Sequence, residues 1–207
     1  MTGRERLSAT FDKKRTPDTV PIWMMFPYAQ EPFAADVHNA SCYDEVTRLV
    51  VERTDFIERN ALTVDLCFSH TELVRERKES ATEYGKNFSE TISYRGVTFE
   101  QSLTKDRNGT TRRPFLRDID ELDALMEIPY QVPEVQMGPY REKAIELGDK
   151  GLHGIQLIDP ISVFHDICSE TDFALWCYTH TDKVKSFLDL VHERVVAVYK
   201  QFLENDV

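Results

Sequence analysis

The run Leu152-His153-Gly154-Ile155-Gln156-Leu157-Ile158, closed by Asp159-Pro160, decides the fold class. Its length and apolar content suit a buried strand rather than a helix. Asp-Pro ends it, because proline has no N–H to donate and restricts the residue before it. Just upstream, residues 140–150 read as a helix ended by Gly151. Downstream, Val184, Phe187, Leu188, Val191, Val195, Val198 and Phe202 recur at helical spacing behind Thr181, which is suited to an N-cap.

Two further apolar runs extend the pattern toward the N-terminus. Residues 61–68 read as a second buried strand, and residues 20–26, bounded by prolines, as another. Between them, residues 27–40 form a loop. A helix then begins at Ser41, its face carrying Tyr43, Val46, Leu49, Val50, Phe56 and Ile57. Residues 3–14 are a short surface helix with Leu7, Ala9 and Phe11, stopped by Pro17. Buried strands alternating with amphipathic helices predict an α/β protein with a parallel sheet.

The middle of the chain departs from that rhythm. Residues 75–83 are polar and solvated. Residues 91–94 and 97–100 alternate in period two around Arg95-Gly96, which predicts a β-hairpin excursion at 91–101. Asn108-Gly109 marks a second turn. A short helix runs over 118–126, closed by Pro129 and Pro133.

The chain has 207 residues, which fits one domain, 1–207. Lys and Arg number 25 against 36 Asp and Glu, a net charge of −11 that argues against a nucleic-acid partner. No apolar run reaches the ~20 residues of a membrane span, and residues 1–18 lack the apolar core of a signal peptide. The expectation is a cytoplasmic protein with no membrane partner. Cys42, Cys67, Cys168 and Cys177 are scattered without a CxxC pair and read as buried thiols.

The order of segments resembles the uroporphyrinogen decarboxylase superfamily, which also holds corrinoid-dependent methyltransferases. The resemblance is carried by Thr2-Gly3-Arg4-Glu5-Arg6-Leu7, Pro17 through Trp23, Leu62-Thr63-Val64-Asp65, the hairpin, Arg113-Pro114-Phe115 with Ile119-Asp120-Glu121-Leu122, and Asp159-Pro160. It implies a (β/α)8 TIM barrel with its site at the carboxyl ends of the strands. Such barrels typically run to about 250 residues, so this sequence corresponds to the N-terminal portion, with Glu204-Asn205-Asp206-Val207 entering a further strand.

Departures from the family pattern direct the functional reading. Decarboxylases carry two carboxylate-binding arginines after the first strand; Phe26 and Gln30 stand there in this chain, and Asp166 replaces a later tyrosine. The methyltransferase-like branch is the better match. There the resemblance implies methyl transfer between a small methylated substrate, a corrinoid protein and an acceptor, with zinc held by a His-x-Cys motif and a later Cys. This sequence has no His-x-Cys, so no metal and no cofactor are expected on this chain alone. The alternatives are a decarboxylase-like enzyme on a smaller carboxylated substrate, and a non-catalytic half-barrel that binds or assembles. Open sheet edges, together with the superfamily's habit, predict a homodimer.

At the barrel mouth implied by the resemblance, Asp159 and Asp65 are the candidate catalytic residues. Asp65 either orients a substrate amine or water, or caps the following turn. Asp159 is either functional or a turn-forming Asp-Pro. Trp23, Tyr28, His70, His165 and Asp166 are the candidate substrate contacts, with His165 and Asp166 at the start of the next helix. Arg112-Arg113 form a small basic spot beside the hairpin.

Overall fold

The computed structural model describes residues 1–12, 15–23, 41–61, 64–156 and 158–205. Its helices in chain order are α1 (Gly3–Phe11), α2 (Asp44–Arg53), α3 (Glu121–Met126), α4 (Gly138–Leu147), α5 (Pro160–Ile167), α6 (Glu170–Thr179) and α7 (Thr181–Glu204). The strands are β1 (Phe56–Ala61), β2 (Val74–Thr82), β3 (Gly85–Tyr94), β4 (Val97–Asp106), β5 (Gly109–Arg113) and β6 (Gly151–Gln156). The chain divides into two compact units. Met1–Leu62 with Gln136–Leu157 form the first, and Thr63–Val135 with Ile158–Asp206 the second.

In the first unit, β1 and β6 pair in parallel, from Phe56 opposite Gly151 to Ala61 opposite Gln156. A Cβ on Gly151 would lie 2.0 Å from the Phe56 carbonyl oxygen, so only glycine admits this close approach. Helices α1 and α4 lie against β6. Thr2 starts α1 with a capping box: the Glu5 N–H donates to Thr2 Oγ1 at 3.2 Å, and the Thr2 N–H to Glu5 Oε2 at 2.9 Å. Helix α1 ends at Phe11, well short of Pro17, and buries Leu7 and Ala9 rather than lying wholly on the surface.

Several expectations fail here for local reasons. Val20 and Ile22 are exposed and residues 20–23 form no strand; Met24, Met25 and Phe26 lie outside the described residues, as does the loop 27–40. The backbone of Ile22 is instead bonded to Asp55, whose N–H donates to the Ile22 carbonyl at 2.7 Å. The expected N-cap, Ser41, opens a 3-10 turn, and α2 buries Val50 while Val46 and Leu49 stay exposed. Thr54 closes α2 by donating N–H and hydroxyl to the Val50 carbonyl, and Phe56-Ile57 enter a strand, as aromatic and β-branched residues favour. The strand expected at 61–68 therefore lies five residues earlier. The one expected at 152–158 spans Gly151–Gln156 and is mostly half-buried.

In the second unit, β2, β3, β4 and β5 form an antiparallel meander in that order. Two-residue turns join them, and the middle one, Arg95-Gly96, has φ of 47° and 89°. Positive φ at both turn positions matches the right-handed twist of the flanking strands. The expected hairpin at 91–101 is thus the centre of a larger sheet, and the solvated stretch 75–83 is its exposed edge strand β2. At the turn end of the sheet, Ile92, Tyr94 and Phe99 are buried. There the Phe68 ring lies 5.4 Å from Phe99 and 4.9 Å from Phe115.

Helix α7 buries Val184, Phe187, Val191, Val195, Val198 and Phe202 on the expected face. Helices α5 and α6 pack on it, with Phe164 fully buried among Phe173, Trp176 and Phe187. Thr181 is the first residue of α7 rather than its cap, and its hydroxyl donates to the Cys177 carbonyl of α6 at 2.9 Å. The chain is thus a mixed α/β protein with one parallel pair and one antiparallel sheet.

Candidate functional site

Asp65 follows β1 in an irregular segment, not a strand. Its Oδ1 accepts the N–H groups of Cys67 at 2.9 Å and Phe68 at 2.7 Å, and Oδ2 pairs with the Arg75 guanidinium. Those bonds satisfy backbone donors that a strand ladder would otherwise have used. Arg75 also donates to the Phe68 carbonyl at 3.1 Å and to Glu90 Oε1 at 3.1 Å, and Gln101 donates to Glu90 Oε2 at 2.7 Å. Glu90 is buried, and this ring of partners is what keeps its charge tolerable there.

From the opposite side comes Arg194, which interrupts the apolar face of α7. It is 5% exposed. Its Nη1 donates to the Leu66 carbonyl at 2.8 Å and the Cys67 carbonyl at 3.3 Å, while its guanidinium lies 4.5 Å from the Tyr130 ring centre. Arg194 Nε is buried with no hydrogen-bond partner. Burial lowers the Arg194 pKa, pushes the Tyr130 hydroxyl up to about 12, and raises the Cys67 thiol, to which the Asp65 carboxylate adds. Cys67 is therefore a neutral thiol at physiological pH and not a ready nucleophile. The arrangement holds two oriented carboxylates, Asp65 and the buried Glu90, with the guanidinium groups of Arg75 and Arg194 fixed by their partners.

Asp159 caps α5. Its Oδ1 accepts the Ser162 N–H and its Oδ2 the Ser162 hydroxyl, both at 2.8 Å. These bonds hold its carboxyl below the usual carboxylate range, so it is ionised at neutral pH. His165 and Asp166 lie in the last turns of α5, not at the start of the next helix. The His165 ring meets Phe173 edge-on at 5.5 Å, and the Asp166 carboxylate is solvated while its backbone carbonyl accepts from Arg112. His70 accepts the Glu72 N–H at Nδ1 and sets its ring edge against Tyr94 at 5.8 Å. Trp23 belongs to the first unit, where the Arg59 guanidinium lies 5.3 Å from its ring centre. Tyr28 lies outside the described residues.

Sequence reasoning passed over Arg75, Glu90, Tyr130 and Arg194. For Arg194 a signal was present, since it sits three residues after Val191 and four before Val198, on the buried stripe itself. Among the described residues, no three His, Cys, Asp or Glu side chains converge as a metal-binding group. Of the four cysteines expected as buried thiols, Cys67 and Cys168 are buried and burial raises their pKa values, whereas Cys42 is exposed and Cys177 half-buried. The donor set present here does not fit the zinc that the family resemblance implies. Likewise among the described residues, no helix is long and apolar enough to cross a membrane. Comparison with protein-family models, curated proteins and solved structures finds no match to this chain.

Proposed function

We propose that this chain is a uroporphyrinogen decarboxylase-superfamily protein of the methyltransferase-like branch, contributing walls of the substrate pocket of a barrel enzyme. In that reading the enzyme moves a methyl group between a small methylated substrate, a corrinoid protein and an acceptor. The observation that carries it is the parallel β1–β6 ladder, with β6 running directly into Asp159-Pro160 and α5 and the antiparallel meander inserted between the two strands. Strand, Asp-Pro break and helix in that order are a barrel's strand-to-helix step, where barrel chemistry resides.

The charge of the candidate residues supports the choice of branch. Asp159 is held ionised and Asp65 is fixed as an acceptor, which suits a cationic or N–H-bearing methylated substrate. Phe26 and Gln30 offer no guanidinium to a polycarboxylate. The role of Asp159 and Asp65 is to bind and orient the substrate by hydrogen bonds to its amine.

Calorimetric titration of the purified protein with mono-, di- and trimethylamine, and separately with aliphatic dicarboxylates, tests the reading. The expected result is amine binding that weakens about tenfold in Asp159→Asn, equal to ~1.4 kcal/mol. Binding of dicarboxylates in preference, or amine binding indifferent to Asp159→Asn, would overturn it.

A further inference from the structure

The meander ends in a hairpin whose charge runs against the rest of the chain. Residues 102–117 carry Lys105, Arg107, Arg112, Arg113 and Arg117 against one acid, Asp106. The remaining chain has 20 Lys and Arg against 35 Asp and Glu. Elsewhere several exposed cations are paired, as in Arg48–Glu52, Arg77–Glu79, Arg95–Glu72, Lys143–Glu146 and Lys183–Asp123. In the hairpin, Lys105, Arg107 and Arg113 have no ion pair among the described residues. The one acid is already engaged, since Asp106 Oδ1 accepts the Asn108 N–H at 2.7 Å.

Strand β5 adds a second, independent feature. It is the outer strand of the meander, paired with β4 alone among the described residues, and every one of its residues is exposed. An edge strand presents backbone N–H and C=O groups that a further strand can meet. Opposite Ser102 and Leu103, Arg113 and Arg112 occupy successive register positions and so project to opposite faces of the sheet, with Arg107 at the turn. A strand laid along β5 would therefore meet Arg113 on one face and, on the other, Arg112, whose guanidinium also donates to the Asp166 carbonyl.

We propose that β5 is a docking edge for an extended acidic segment of another protein, which adds as a fifth strand and pairs acidic residues at adjacent positions with Arg112 and Arg113. Backbone pairing supplies affinity and the arginines supply selectivity, as in other strand-addition modes. A peptide suits the edge better than a nucleic acid. The strand Gly-Thr-Thr-Arg-Arg has no aromatic ring for base stacking. This inference does not depend on the methyltransferase reading.

Fluorescence anisotropy with a labelled peptide of repeated Thr-Glu-Glu-Val units, its Gln counterpart and a single-stranded oligodeoxynucleotide of equal charge tests it. Hydrogen exchange of residues 107–114 is followed in parallel. The expected result is binding of the acidic peptide only, with slowed exchange across β5. Arg113→Glu and Arg107→Glu should each weaken it at least tenfold with unchanged circular dichroism. Binding unaffected by either variant, equal binding of the oligonucleotide, binding without protection of β5, or no binding at all would overturn the proposal. So would loss of self-association in Arg113→Glu without any peptide binding by the parent, which would make the occupant a second copy.

Discussion

Replacing Arg194 asks whether a buried guanidinium bonded only to carbonyls and a ring stabilises its unit. In Arg194→Met the aliphatic stem is retained, while the Leu66 and Cys67 carbonyls lose a donor at 2.8 and 3.3 Å and Tyr130 loses its cation. Charge-assisted bonds to carbonyls contribute about 1.5–3 kcal/mol, and a desolvated cation–π contact up to about 2. Against them stands relief from burying the charge, which amounts to several kcal/mol per ion. The unpaired Nε shows that the guanidinium is not fully compensated. The net expectation is destabilisation by about 2 kcal/mol, roughly a 30-fold change in the folded-to-unfolded ratio. Arg194→Ala adds the loss of stem packing and should cost about 4 kcal/mol. Urea titration followed by Trp176 fluorescence measures both, in a Trp23→Phe background so that the reporter lies in the same unit as Arg194. An Arg194→Met protein as stable as its parent would refute the reasoning, because desolvation would then outweigh every contact described.

Four further outcomes are expected. Phe164→Ala empties the fully buried centre of the α5–α6–α7 packing and should cost about 3–5 kcal/mol, read by the same Trp176 titration. Asp159→Ala removes the α5 cap at a cost of about 1 kcal/mol. Because the native Asp159 carboxyl is depressed, its ionisation stabilises the fold above the ordinary carboxylate pKa of about 3.9 and is lost as pH falls through the native value. Acid titrations of the parent should thus fall more steeply below about pH 4 than those of Asp159→Asn. Gly151→Ala places a Cβ 2.0 Å from a carbonyl oxygen and 2.5 Å from the Phe56 Cβ, and should unpair β1 from β6, seen as loss of amide protection in both strands.

What the sequence made legible was whatever local chemistry determines. Arg95-Gly96 between alternating residues announced its turn, and Asp159-Pro160 announced a break, which proved to be a helix start. The α7 stripe was readable because its burial has a single period. The start of β1 was hidden because Phe56 and Ile57 continue the helical spacing of Val46 and Val50, although Thr54 closes α2 before them. Residues 66–68 were apolar and buried as expected, yet not a strand. The N–H groups of Cys67 and Phe68 are served by the Asp65 carboxylate, and the Phe68 ring packs on Phe99 and Phe115, partners set by tertiary placement. Helix α6 went unread because it buries Trp176 and no periodic stripe. The ring around Glu90 joins residues from four separate segments, which no spacing rule connects.

The parallel pairing of β1 with β6 also sets an order of events. Each strand of the meander closes on its neighbour across two residues, whereas Phe56 and Gly151 must meet across the 94 residues between them. On the logarithmic law of loop closure that costs about 3 kcal/mol more in chain entropy before any contact repays it. The meander, dense in neighbour-to-neighbour pairing, condenses early and shortens the free chain that the parallel pair has to span. Refolding under pulsed deuterium exchange should then protect the amides of β3 and β4 first and those of β1 and β6 last, making the sheet that defines the α/β character of the chain the final one to form.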